Sequence, residues 1–96
     1  MTVPFLLQVK KMGNQYIFDV DGPVDQYASS HLKERIAYIR NTTDDYVIIN
    51  FENVKFLDYD SFKRAMADFS PKYISLVNFE NLLLDSEAER FFKKFC

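Results

Sequence analysis

The chain has 96 residues, room for one domain around one core. It is 48% hydrophobic with ten Phe and six Tyr, which supports a packed interior and excludes a disordered chain. A net charge of −2 offers no basic face to neutralise phosphates, and no apolar run reaches the roughly 18 residues of a membrane helix. Nucleic acid and membrane insertion are therefore not expected.

The amino-terminal stretch from Met1 to Lys11 has no charged leader region and no signal-type cleavage site. Phe5 to Val9 and Gln15 to Val20 read as two strands joined by a turn around Met12-Gly13-Asn14. Gly22-Pro23 breaks the second strand. From Ala28 the period changes: Ala28, Leu32, Ile36 and Ile39 fall at helical spacing, which predicts an amphipathic helix over Gln26 to Arg40. The segment from Asn41 to Asp45 ends it. Tyr46 to Phe51 is apolar at nearly every position, as in a strand covered on both faces. Phe62, Ala65, Met66 and Phe69 form a second helical stripe, stopped by Ser70-Pro71. Tyr73 to Phe79 reads as another buried strand. Ser86 and Glu89 fit a capping box, and Ala88, Phe91, Phe92 and Phe95 give a third stripe. The order β-β-α-β-α-β-α predicts a single α/β domain over 1–96, a mixed sheet with parallel later strands and helices packed against it.

Chemistry-bearing side chains concentrate at the junction Asp58-Tyr59-Asp60-Ser61, where a short apolar step meets a helix. Helix amino termini carry unpaired amides that suit an anion or a docking loop. Asp60 reads as the cap of that helix, accepting the amides of Phe62 or Lys63 for about 1 kcal/mol. Ser61 reads as a solvated first-turn serine, a position where a phosphate would be electrostatically favoured, so it is a possible phosphorylation site. Tyr59 reads as an exposed aromatic at a partner surface. Asp25, after Gly22-Pro23-Val24, reads as the cap of the first helix. His31 lies beside its helical stripe and reads as solvated. Cys96 is the only cysteine, so there is no internal disulfide and no zinc set, which implies a reducing, cytoplasmic setting. No cofactor and no metal are expected.

Three blocks resemble the STAS domain, the fold of anti-sigma factor antagonists and related bacterial switching proteins. Val20-Asp21-Gly22-Pro23-Val24-Asp25 is similar to the family's turn before the first helix. Val47 to Val54 is similar to its central strand. Phe56-Leu57-Asp58-Tyr59-Asp60-Ser61-Phe62 stands where the family has F-I-D-S-S-G-L. The resemblance implies a non-catalytic protein–protein interaction module in a partner-switching system acting on transcription. Its partner would be an anti-sigma factor, a GHKL-type kinase or a related switch protein. Asp25, Asp58, Tyr59, Asp60, Ser61 and Phe62 would form the docking surface, with the three carboxylates as one acidic patch. Asn50 and Asn53 depart from the family's Asp and Gly. Asp60 replaces the hydroxyl residue that accepts phosphate in regulated members, so the usual acceptor is missing and a fixed negative charge takes its place.

Two other readings stand beside this one. Some stand-alone members of the family sit on the ATPase of a lipid-transport complex, which would make the chain a structural subunit. Ile17 to Val24 also resembles the nucleophile motif of haloacid dehalogenase-type phosphatases, with Asp19 attacking phosphorus and Asp21 as acid/base. There Pro23 replaces a Thr, and the later lysine and acidic motifs are missing.

Overall fold

The computed structural model describes residues 4–96; the expectation of no leader segment falls partly on residues 1–3, outside the described residues. Seven elements follow in the expected order: β1 (Leu6–Met12), β2 (Gln15–Asp21), α1 (Gln26–Thr42), β3 (Tyr46–Asn53), α2 (Tyr59–Met66), β4 (Ile74–Val77) and α3 (Ser86–Lys93). They form one four-stranded sheet in the order β1-β2-β3-β4. β1 and β2 are antiparallel, while β2–β3 and β3–β4 are parallel.

The first hairpin is longer than its apolar pattern suggests. Met12 pairs with Gln15, so the ladder includes Lys10 and Lys11. β1 is an edge strand, where lysines are tolerated. Gly13 has φ +63° at the first central position of the two-residue turn, a conformation that suits glycine. Gly22, at φ +94°, follows β2; a Cβ there would collide with the Pro4 carbonyl. β4 is shorter than expected, because Asn78 takes φ +59° and turns the chain away.

One core joins all three helices to one face of the sheet. Phe18, Val20, Val47, Ile49, Phe51, Ile74 and Leu76 meet Ala28, Leu32 and Ile36 of α1, Phe62 and Met66 of α2, and Phe92 and Phe95 at the carboxyl end. Phe92 lies within 5.1–6.3 Å of the rings of Phe51, Phe62, Phe79 and Phe91.

The expectation that β3 is covered on both faces is corrected. Ile48 on β3 is only half-buried, as are Ile17 on β2 and Val77 on β4. The physical reason is the strand order. Each parallel crossover steps the same way across the sheet, and crossovers of one hand then place α1 and α2 on the same side. The carboxyl-terminal turn closes the far edge instead: Leu76 of β4 donates its amide to the Phe95 carbonyl at 2.9 Å.

Candidate functional site

Two loops meet beyond the carboxyl ends of β2 and β3. Val24 and Leu57 form an isolated parallel bridge, with Val24 N donating to Phe56 O at 2.9 Å and Asp58 N donating to Val24 O at 2.8 Å. This bridge brings Asp25 and Asp58 to neighbouring places, although 33 positions separate them in sequence. Each then starts a helix. Asp25 accepts the Ala28 amide at 2.9 Å, the cap expected from the sequence.

The cap of α2 is Asp58, not Asp60. Asp58 accepts the Ser61 amide at 3.3 Å and the Ser61 hydroxyl at 3.0 Å. Its extended backbone, φ −81° and ψ +96°, is what a cap residue needs. Asp60 is already inside the first turn and points to solvent, where its charge still suits the positive end of the helix. The same register corrects Ser61. It is 6% exposed, with its hydroxyl held by Asp58, rather than a solvated serine. Phe62 is fully buried in the core, edge-on to Phe51, so it supports the turn from below. The capping box at Ser86 shifts likewise: Asp85 caps α3 through the Ala88 amide at 2.8 Å, and Glu89 turns to Lys93 at 2.7 Å.

Tyr59 is half-buried rather than exposed. Its ring packs against Phe91 at 5.8 Å, and its hydroxyl is buried without a hydrogen-bond partner. Burial raises its pKa above 10.0, and Glu87, Asp85 and Asp60 add to the rise against the opposing charge of Lys63. Lys63 lies 3.1 Å from Glu87, and this bond raises the lysine's own pKa. His31 is also half-buried, with Phe5 edge-on at 5.9 Å.

Phe56 and Leu83 are exposed apolar residues that the sequence pattern did not single out. A groove of about 320 Å³ runs between Lys55–Leu57, Tyr59 and the loop Asn81–Asp85, and a second of about 360 Å³ lies between Phe56 and the Asp21–Pro23 turn. Phe56 therefore stands as a ridge between two hollows beside the capped turn. The one available signal was the apolar Leu82-Leu83-Leu84 run in a segment too short to bury all three.

Asp25, Asp58 and Asp60 share one end of the molecule, yet among the described residues no three His, Cys, Asp or Glu side chains are arranged to hold a metal ion. Asp19 sits on β2 with its carboxylate on Asn50 at 3.0 Å and on Lys10 at 3.4 Å, while Asp21 is exposed beyond a register irregularity. The arrangement around Asp58 combines a capped turn, the exposed carboxylates of Asp25 and Asp60, and an apolar ridge.

Comparison with known proteins agrees with the fold. The sequence profile of the STAS domain matches residues 7–77. An antisigma-factor antagonist STAS domain from Rhodobacter sphaeroides is similar in structure, with a TM-score of 0.57 at 13% identity over 80% of this chain and 89% of that one. The anti-sigma factor antagonist SpoIIAA in its unphosphorylated form is similar with a TM-score of 0.59 at 16% identity, over 94% of this chain and 96% of that one. No curated protein matches the chain by sequence. Among the described residues no helix is long and apolar enough to cross a membrane.

Proposed function

The chain belongs to the STAS domain family, and from that premise we propose that it is a non-catalytic, cytoplasmic switching module that docks on a protein partner. In this reading it acts like a bacterial anti-sigma factor antagonist, and its partner is an anti-sigma factor, a GHKL-type kinase or a related switch component. The docking surface is the turn at Asp58, Tyr59 and Asp60 with Asp25 beside it, held from below by the buried Phe62. The observation that carries the reading is the Val24–Leu57 bridge, which joins the two family-like junctions at one end of the molecule.

Asp60 replaces the usual phosphate acceptor and supplies a standing charge of about −1, against about −1.5 to −2 for a phosphate. Its exposed place in the first turn of α2 supports that role. Ser61 would have to leave Asp58 before a kinase could modify it.

The test is capture of partners from the native cytoplasm by wild type and by Asp60→Ser. A kinase partner bound differently by the two, with phosphate transferred to the variant alone, supports the proposal. A kinase that binds both equally and transfers nothing to the variant counts against it. Equal capture of a transporter ATPase would move the function to a structural subunit and leave Asp60 as a charge at a helix terminus.

A further inference from the structure

We propose that the groove between Phe56 and Leu83 docks a basic amphipathic helix of the protein partner. This rests on the switching role proposed above and adds the chemistry of what docks. Leu57, Leu82 and Leu84 give the groove apolar walls, with Asn81 and Asp85 at polar positions, around a volume of about 320 Å³. Two large apolar side chains border it, Phe56 at 56% and Leu83 at 104% exposure. Backbone geometry holds Leu83 out. Leu84 N donates to Leu82 O at 3.0 Å, so Leu83 is the apex of a tight turn with Leu82 buried beside it. Asp85 then ties the turn to α3 by capping it. One exposed leucine is ordinary, but a leucine and a phenylalanine bordering one hollow make a shared apolar surface.

Charge selects the partner. Asp85 lines the groove, Asp21 lines the hollow across the Phe56 ridge, and Asp25 and Asp60 stand at the neighbouring turns. All four are exposed, and none joins an ion pair among the described residues. Asp58 adds a further negative charge. Lys63 is matched by Glu87 at 3.1 Å, which leaves Lys55 as the one unmatched cation at this end among the described residues. The amino termini of α1, α2 and α3 bring about +0.5 each, less than the carboxylates carry, so the surface stays negative. It repels a second copy presenting the same end, and it attracts lysine and arginine.

Backbone pairing selects a helix. β4 leads into the loop that walls the groove, and its Leu76 amide is already taken by the Phe95 carbonyl. The amides of Val24 and Asp58 are taken by the bridge between the two junctions. An extended peptide needs free backbone groups to pair with. A helix satisfies its own and asks only for side-chain contact.

Three synthetic helices of about 15 residues test the inference on the full chain. One has a leucine stripe with lysine elsewhere, one a leucine stripe with glutamate elsewhere, and one an alanine stripe with lysine elsewhere. Amide chemical shifts, titrated at about 50 mM salt, report site and affinity. The leucine–lysine helix should bind with its largest shifts at Lys55–Leu57 and Asn81–Asp85, and the other two should bind at least tenfold more weakly. Leu83→Ser combined with Phe56→Ser, both at exposed positions, should weaken it at least tenfold, and Asp21→Asn about threefold. Met12→Ser, at the opposite end of β2, should leave binding unchanged. No binding of the leucine–lysine helix, equal binding of the glutamate helix, or binding that survives the double variant overturns the inference. A kinase captured equally by wild type and the double variant also overturns it, while leaving the Asp58 turn as the docking surface. The Asp60→Ser comparison tests that turn separately, so the two readings fail on different results.

Discussion

Asp58 and Asp60 stand two residues apart in one turn and have different physical roles. Asp58 closes two hydrogen bonds on Ser61, so its loss strands an amide and a buried hydroxyl together. Asp60 makes no such bond and adds only charge at a helix terminus. Replacing Asp58 with Ala should therefore cost about 1–2 kcal/mol in urea unfolding. Asp60→Ala should cost about 0.5 kcal/mol or less. Equal losses in the two variants would mean that Asp58 is not the cap. Tyr59 supplies the pH prediction at this scale. Its folded pKa is raised, so the folded state favours the neutral phenol. That stability is fully present below the ordinary tyrosine value of 10.0 and is lost as pH rises through the higher folded value. Thermal melts should decline in that alkaline window, and Tyr59→Phe should flatten the decline while leaving neutral-pH stability unchanged or slightly higher. An unaltered alkaline slope in the variant would refute the assignment.

Among the elements, α3 has the clearest energetic weight. It is eight residues long, too short to persist alone in water, so packing must hold it. Phe92 supplies that packing, fully buried among the rings of Phe51, Phe62, Phe79 and Phe91. Phe92→Ala should lower stability by about 3–5 kcal/mol, read as a shift of the unfolding midpoint. Because the Phe95 carbonyl receives the Leu76 amide, the same change should also raise hydrogen exchange at Leu76. A variant that melts lower with Leu76 still protected would separate the helix from the edge it covers.

At the scale of the molecule, one core connects every element, and the only polar side chains buried among the described residues are Ser29 and Ser61. A chain with one core should unfold in a single cooperative step. Backbone and aromatic circular dichroism should therefore give coincident transitions in urea. Separate transitions would show that the hairpin or α3 unfolds on its own.

Element order and type were legible in the sequence, because hydrophobic period reports directly on whether a residue faces a core from a helix or a strand. The stripe from Ala28 to Ile39 and the cap at Asp25 both appear as written there. Family membership was legible for a related reason, since the two junctions and the central strand carry local patterns in a set order. The placement of caps was not. Asp58, Asp60, Asp85 and Ser86 are all competent cap residues, and only the backbone angles where the loop meets the core select Asp58 and Asp85. Nor was the open face. Ile48 looks like a buried strand residue in sequence, because apolarity alone does not say which side of a sheet the helices take. That choice belongs to the strand order, and the strand order is a property of pairings between segments far apart in the chain. The same holds for Asp25 and Asp58, which become neighbours only when Val24 meets Leu57. Local sequence determined what each segment is, and tertiary structure decided what each segment faces, because burial is settled by contacts that no local window contains.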